Sequence, residues 1–138
     1  MPKPHIHADA DVKRWKGKRE DYQPIHDFMD STKSAFSDNR HRCILHNIWA
    51  VNNILPKIFG DTIINSDGRE VSVRDIGEYH LNDDFRGRFI PNLSDYLENL
   101  EMKDWMNNGM GDPPSSNIKI EKFRQEKTER LLKDIIKD

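Results

Sequence analysis

The chain has 138 residues and a mass of 16.3 kDa, room for one domain of ordinary size with short extensions. Hydrophobic residues make up 35% and charged residues 33%, so a modest core under a heavily charged surface is expected. Mean hydropathy is -0.89, and no apolar run approaches the roughly 20 residues that cross a bilayer. No apolar leader stretch follows Met1, so neither a membrane nor a secreted protein is expected. The single cysteine, Cys43, excludes an internal disulfide and a multi-cysteine zinc site.

The net charge of -2 hides a segregation: residues 1–20 carry +3, residues 117–138 carry +2, and the middle carries -7. A basic end can pair with phosphate or with an acidic protein surface. The N-terminal cluster around Lys13, Arg14 and Lys16 is diluted by Asp9, Asp11 and Glu20. A pI near 6.3 is far below that of a typical nucleic-acid-binding domain.

In chain order, residues 1–22 read as a basic arm with few aliphatic side chains, and residues 23–109 as the folded domain. Pro24 suits a first helical position, with Ile25, Phe28 and Met29 on one face and Asp30 opposite. Ser37-Asp38 can cap a helix over about 38–55, whose apolar set (Ile44, Leu45, Ile48, Trp49, Val51, Ile54, Leu55) recurs at helical spacing until Pro56. The period then changes. Thr62-Ile63-Ile64 and Val71-Ser72-Val73 flank Asn65-Ser66-Asp67-Gly68, which predicts a β-hairpin over about 62–74. Asp75–Asn82 and a segment from Pro91 read as further helices, with Trp105 and Met106 expected to close the core. Residues 110–116 (Met-Gly-Asp-Pro-Pro-Ser-Ser) form a linker, and 117–138 an amphipathic tail helix carrying Phe123, Leu131 and Ile135. The expected fold class is α+β, mostly helical: a compact helical domain with one hairpin and a C-terminal helical extension.

The densest polar segment is Asp38–Asn47. At about 100° per residue, Asp38, Arg42 and His46 share a broad face, while His41 and His46 lie about 140° apart. His26 on the preceding helix, and Glu78 and His80 after the hairpin, could converge on that face. A divalent-metal site of His26, His46, Glu78 and His80 is therefore one candidate, with Asp38 or His41 as acid–base groups and Arg40 and Arg42 holding phosphate. His26-Asp27 resembles the adjacent pair of the HD-type metal phosphohydrolases. Against this stands a structural reading, in which such polar groups form hydrogen-bonded helix-packing networks. Cys43 reads as a small core residue. No phosphate-binding glycine loop, dinucleotide fingerprint or nucleophile elbow is present.

His5-Ile6-His7, Glu20-Asp21-Tyr22, Ile25-His26, Asp38–His46, Phe59-Gly60, Asn65–Gly68, Val73-Arg74, Ile76-Gly77-Glu78, His80, Ile90-Pro91 and Trp105-Met106 together resemble a family of uncharacterised small proteins of bacteria and their phages. The resemblance covers about three-quarters of the chain, stops near Gly109, and implies no activity. Where that family often has His, His and an acid, this chain has Ala35, Asn47 and Trp49; His26, Asp38, His41, His46, Glu78 and His80 are retained. The leading expectation is a small accessory protein that binds a larger protein assembly through its two ends in the cytoplasm of a bacterial or phage-infected cell, with the enzyme question left open. A divalent-metal hydrolase of a nucleotide or other phosphate ester is the alternative, and nucleic-acid binding through the N-terminal arm a third.

Overall fold

The computed structural model describes residues 3–114 and 120–136. It forms two compact units, Met1–Leu100 and Glu101–Asp138. The first is a helical domain with one hairpin, as the sequence predicts. Its elements are α1 (Pro4–Trp15), α2 (Arg19–Asp30), α3 (Arg42–Leu45), α4 (Ile48–Asn53), α5 (Leu55–Phe59), strands β1 (Thr62–Ile64) and β2 (Glu70–Ser72), α6 (Val73–Asp84) and α7 (Leu93–Leu97). Single 3-10 turns at Ser31–Ser34 and Asn39–His41 link α2 to α3. No described helix is long and apolar enough to cross a membrane.

The largest departure is at the N-terminus. Residues 1–22 are not an arm: α1 packs along α2, and His7, Ala8, Asp11 and Tyr22 are buried. The expected boundary at residue 22 falls inside α2, which begins at Arg19 because Asp21 accepts the Lys18 backbone N–H at 2.7 Å and so caps the first turn. The α1–α2 turn is fixed by the hairpin tip. Asn65 Nδ2 donates to the Trp15 carbonyl, Gly17 N donates to Asp67, and Tyr22 Oη donates to the Lys16 carbonyl. Gly17 sits at φ 76°, and a Cβ there would meet Asp21 and Asn65 at 2.5 and 2.9 Å, so glycine is required.

The helix expected over 38–55 is broken in two by its own polar residues. Backbone at His46 and Asn47 leaves the helical region; Asn47 Oδ1 accepts from Ala50 N to cap α4, while its Nδ2 donates back to the Cys43 carbonyl. Pro56 does not end a helix but lies in the first turn of α5. Of the expected stripe, Leu45, Val51 and Leu55 are buried, whereas Ile44 and Trp49 are exposed. Cys43 is half-buried.

The hairpin pairs antiparallel, with Ile63 opposite Val71, and hands directly to α6, which Ser72 caps by accepting from Asp75 N. The apolar core gathers Ala8, Tyr22, Ile25, Met29, Val51, Leu55, Val71, Val73, Ile76 and Leu81. Helix α6 lies close against α4 and α5 because Gly77 faces Val51 and Leu55.

The second unit carries a 3-10 turn at Asp104–Met106 and helix α8 (Ile120–Ile136). Trp105, expected to be a core residue, is exposed. On α8, Leu131, Leu132 and Ile135 are exposed; the side chain of Phe123 and residues 115–119 of the expected linker and tail lie outside the described residues.

Candidate metal centre

Five of the six histidines are buried: His7, His26, His41, His46 and His80. Imidazoles in a core of this size are costly unless each finds a partner. The partners come from helix periodicity. His7 and Asp11 on α1, His26 and Asp30 on α2, and His80 and Asp84 on α6 each stand four residues apart, hence on one helix face. Each pair continues the buried stripe of its helix, so three polar stripe ends meet inside the domain. His46 joins them from the break between α3 and α4, where Tyr96 on α7 donates to its carbonyl at 2.8 Å. Burial pushes the Tyr96 hydroxyl up to about 12.

Two groupings of these side chains bring ligand atoms within 4.8 Å of one another. In the first, Asp30, His46, His80 and Asp84, the distances approach a tetrahedron. His46 Nε2 lies 3.2 Å from Asp30 Oδ1 and 3.1 Å from Asp84 Oδ2. His80 Nε2 lies 3.3 Å from Asp30 Oδ1 and 3.1 Å from Asp84 Oδ2, and the two Nε2 atoms are 3.3 Å apart. A tetrahedral zinc ion with ligands at about 2.0–2.1 Å spaces them about 3.3 Å apart. Both carboxylate oxygens are buried and lack a properly directed hydrogen bond despite nitrogens at bonding distance. Atoms this close without hydrogen bonds between carboxylate and ring fit the ligand set of one cation. The His46 and His80 rings are inclined at 66°, so their lone pairs can converge.

The second grouping, His7, His26 and His80, has a different geometry. His7 lies face to face on His80, with centroids 3.9 Å apart and planes 22° apart. Lone pairs lie in the ring planes, so stacked rings cannot both point at one ion. His26 and His80 meet edge to edge, with Nδ1 atoms 2.8 Å apart and planes 16° apart. This is a hydrogen bond, and its direction follows from its neighbours. His26 Nε2 must donate to the acceptor-only carboxylate of Asp11. Burial lowers the His26 pKa against the pull of Asp11, which favours the neutral ring with Nδ1 as acceptor. His80 Nδ1 therefore carries the proton donated to His26, leaving Nε2 as the atom that faces Asp30 and Asp84. His7 Nε2 donates to Asp84 Oδ1 at 3.0 Å, leaving Oδ2 for the centre. Arg14 closes the outer side, donating to Asp11 at 3.0 Å and to Asp83 at 3.3 Å.

The electrostatics agree. Burial opposes ionisation of Asp30, but the nearby His46 and His80 rings hold it well below the usual carboxylate range; His46 and His80, with the hydrogen bond from His7, do the same for Asp84. Burial would lower the His80 pKa, and Asp30 and Asp84 overcome it and raise it. Two carboxylates supply the two negative charges that balance one divalent cation.

The residues expected from sequence divide sharply. His26, His46 and His80 are brought together. Glu78 is two residues from His80, about 200° around α6, and borders a different cleft with Asp75, Tyr79, Asn82 and Ile90. Asp38 is exposed and holds Arg40 through paired contacts of 2.9–3.1 Å, so neither reaches the centre. His41 is buried beside the centre, edge-on to His46, with Nδ1 3.1 Å from Thr32 Oγ1. Arg42 has a buried Nε without a partner, and its guanidinium lies 5.4 Å over Phe85. Asp27, the acid adjacent to His26, is exposed and bonds Gln23; the buried acid is Asp30. Lys13 and Lys16 are exposed, and Arg14 is committed to Asp11 and Asp83.

Residues 2–106 match the model of a family described as Domain of unknown function (DUF6915), and the chain belongs to that family. No curated protein and no solved structure matches it.

Proposed function

We propose that this protein binds one divalent cation, zinc by its spacing, through Asp30 Oδ1, His46 Nε2, His80 Nε2 and Asp84 Oδ2. The observation that carries this reading is the set of five ligand-to-ligand distances of 3.1–3.3 Å around two orphaned carboxylate oxygens. The ion neutralises the buried acids and ties α2, α6 and the α3–α4 break together. Dialysis against zinc followed by elemental analysis tests it. About one ion per chain is expected, falling below about 0.1 in His80→Ala. A wild-type chain that retains no metal contradicts it.

A second reading gives the ion a reaction, hydrolysis of a phosphate ester. It is favoured by Arg42, one turn before His46, whose unpartnered Nε can meet a phosphate oxygen, and by Asp30, the ligand with the most exposed side chain at 7%. With four protein ligands already in place, the bound ion would need a fifth position for a water or substrate oxygen, and would supply Lewis acidity there. Metal-dependent turnover of a chromogenic phosphate ester, lost in Arg42→Gln, is the expected result; no turnover with any of zinc, manganese or iron removes this reading.

Docking of a protein partner remains a proposal for α8, supported by the exposed Leu131, Leu132 and Ile135. Deleting residues 110–138 is expected to abolish co-purification of the partner and leave the first unit folded. The cytoplasm of a bacterial or phage-infected cell is the setting that the sequence resemblance implies for either activity.

A further inference from the structure

We infer that helix α1, which supplies no ligand, sets the strength of the metal site from behind it, with Asp11 and His7 as positioning residues. This inference rests on the cation reading above.

The argument starts from protons. Metal binding requires a bare Nε2 on His80 and a free oxygen on Asp84. Two chains of hydrogen bonds enforce those states, and both begin on α1. In one, Asp11 accepts from His26 Nε2, which leaves His26 Nδ1 to accept from His80 Nδ1 at 2.8 Å and keeps the His80 proton on Nδ1, with Nε2 bare. In the other, His7 Nε2 donates to Asp84 Oδ1 at 3.0 Å, which fixes the carboxylate plane and leaves Oδ2 facing the centre. His7 also lies flat on His80 and limits rotation of that ring.

The charge is arranged in the same sense. Asp11 is buried at 0% exposure and is held by Arg14 on its other oxygen, so it cannot turn away from His26. An anion behind His26 makes that ring a better acceptor, which makes His80 more basic at Nε2. Partners of this kind alter metal affinity by about 10–100-fold. Occupancy of the centre and docking of α1 are therefore linked, and each strengthens the other.

Asp11→Asn preserves shape and removes the charge. His7→Phe preserves the stack on His80 and removes the donor, whereas His7→Gln restores a donor at the position of Nε2. Asp9→Asn, on the exposed side of α1 where Asp9 pairs with Arg19, is the control. Zinc affinity is read by competition with a chromophoric chelator, and site geometry by the visible absorption of the cobalt(II)-loaded protein. Asp11→Asn and His7→Phe are expected to bind zinc about 10–100-fold more weakly, with shifted cobalt bands. His7→Gln and Asp9→Asn should stay close to wild type in both. If Asp11→Asn fails to fold, the His7→Phe and His7→Gln pair decides. A purely structural role would lower thermal stability of the free and loaded forms alike while leaving affinity and spectrum unchanged, and that result overturns the inference. A wild-type chain without zinc affinity overturns the cation reading as well, whereas wild-type affinity in both His7→Phe and Asp11→Asn overturns this inference alone.

Discussion

At the scale of single residues, the centre is a problem of protons. In the metal-free protein His80 lies between Asp30 and Asp84, whose charges raise its pKa above the usual imidazole value against the effect of burial. A cation therefore competes with a proton for His80 Nε2. Zinc binding at pH 6.5 is expected to release protons, and apparent affinity to weaken as pH falls. Titration calorimetry in buffers of differing ionisation enthalpy measures this directly. Proton-neutral binding at that pH contradicts the arrangement. His26, His46 and His80 were legible as candidates because histidine beside apolar periodicity is conspicuous. Their acids were not. The partial apolar stripe of α2 puts Asp30 on the solvent side, and adjacency to His26 favours Asp27 instead. Adjacent residues on a helix point about 100° apart, and the acid that shares the face is the fourth along. The threefold recurrence of histidine and aspartate at that spacing was present in the sequence, and it is the signal that finds the site.

At the scale of elements, polar side chains decide where helices start and stop. Asn47 bonds both sides of the break between α3 and α4, which places His46 at a bend where its ring turns inward. Periodicity alone predicts one continuous helix there, since a capping asparagine inside an apolar pattern resembles any other polar position. The hairpin was readable because Asp67-Gly68 demands a turn. Its role was not, because the contacts of Asn65 and Asp67 with the α1–α2 turn span about fifty residues of sequence. Asp21 is the hinge of that clasp, accepting from Lys18 N, Ser66 N and Ser66 Oγ at 2.7–2.9 Å. Burial would raise its pKa, but these hydrogen bonds outweigh it and hold the group below its ordinary 3.8. The stability it contributes is fully present above 3.8 and is lost as pH falls through the lower folded value. Asp21→Asn is expected to flatten the fall in melting temperature across that acid window. An unchanged slope contradicts the clasp.

At the scale of the molecule, an apolar layer adjoins a polar one. Ile25, Met29, Val51, Leu55, Ile76 and Leu81 build the first, and four buried imidazoles with three buried acids build the second. Truncating the apolar layer, as in Ile76→Ala, costs about 2–5 kcal/mol by transfer and cavity terms. The polar layer behaves differently, because its stability depends on what occupies it. Free zinc at 100 times its dissociation constant adds about 2.7 kcal/mol by mass action. Chelation is thus expected to lower the melting temperature of the loaded protein by several degrees, an effect absent in His80→Ala. The N-terminal residues look like an arm in the sequence because they are basic and poor in aliphatics; their buried face is made of His7, Ala8 and Asp11, which carry little hydrophobic signal. That face is legible only once the acids and histidines it meets are in view.

X-ray absorption at the zinc edge of the loaded protein tests the central claim most directly. Convergence of Asp30, His46, His80 and Asp84 predicts four nitrogen and oxygen neighbours at about 2.0–2.1 Å, with the outer scattering of two imidazoles. Six oxygen neighbours without imidazole scattering, or a first shell containing sulfur, would contradict it.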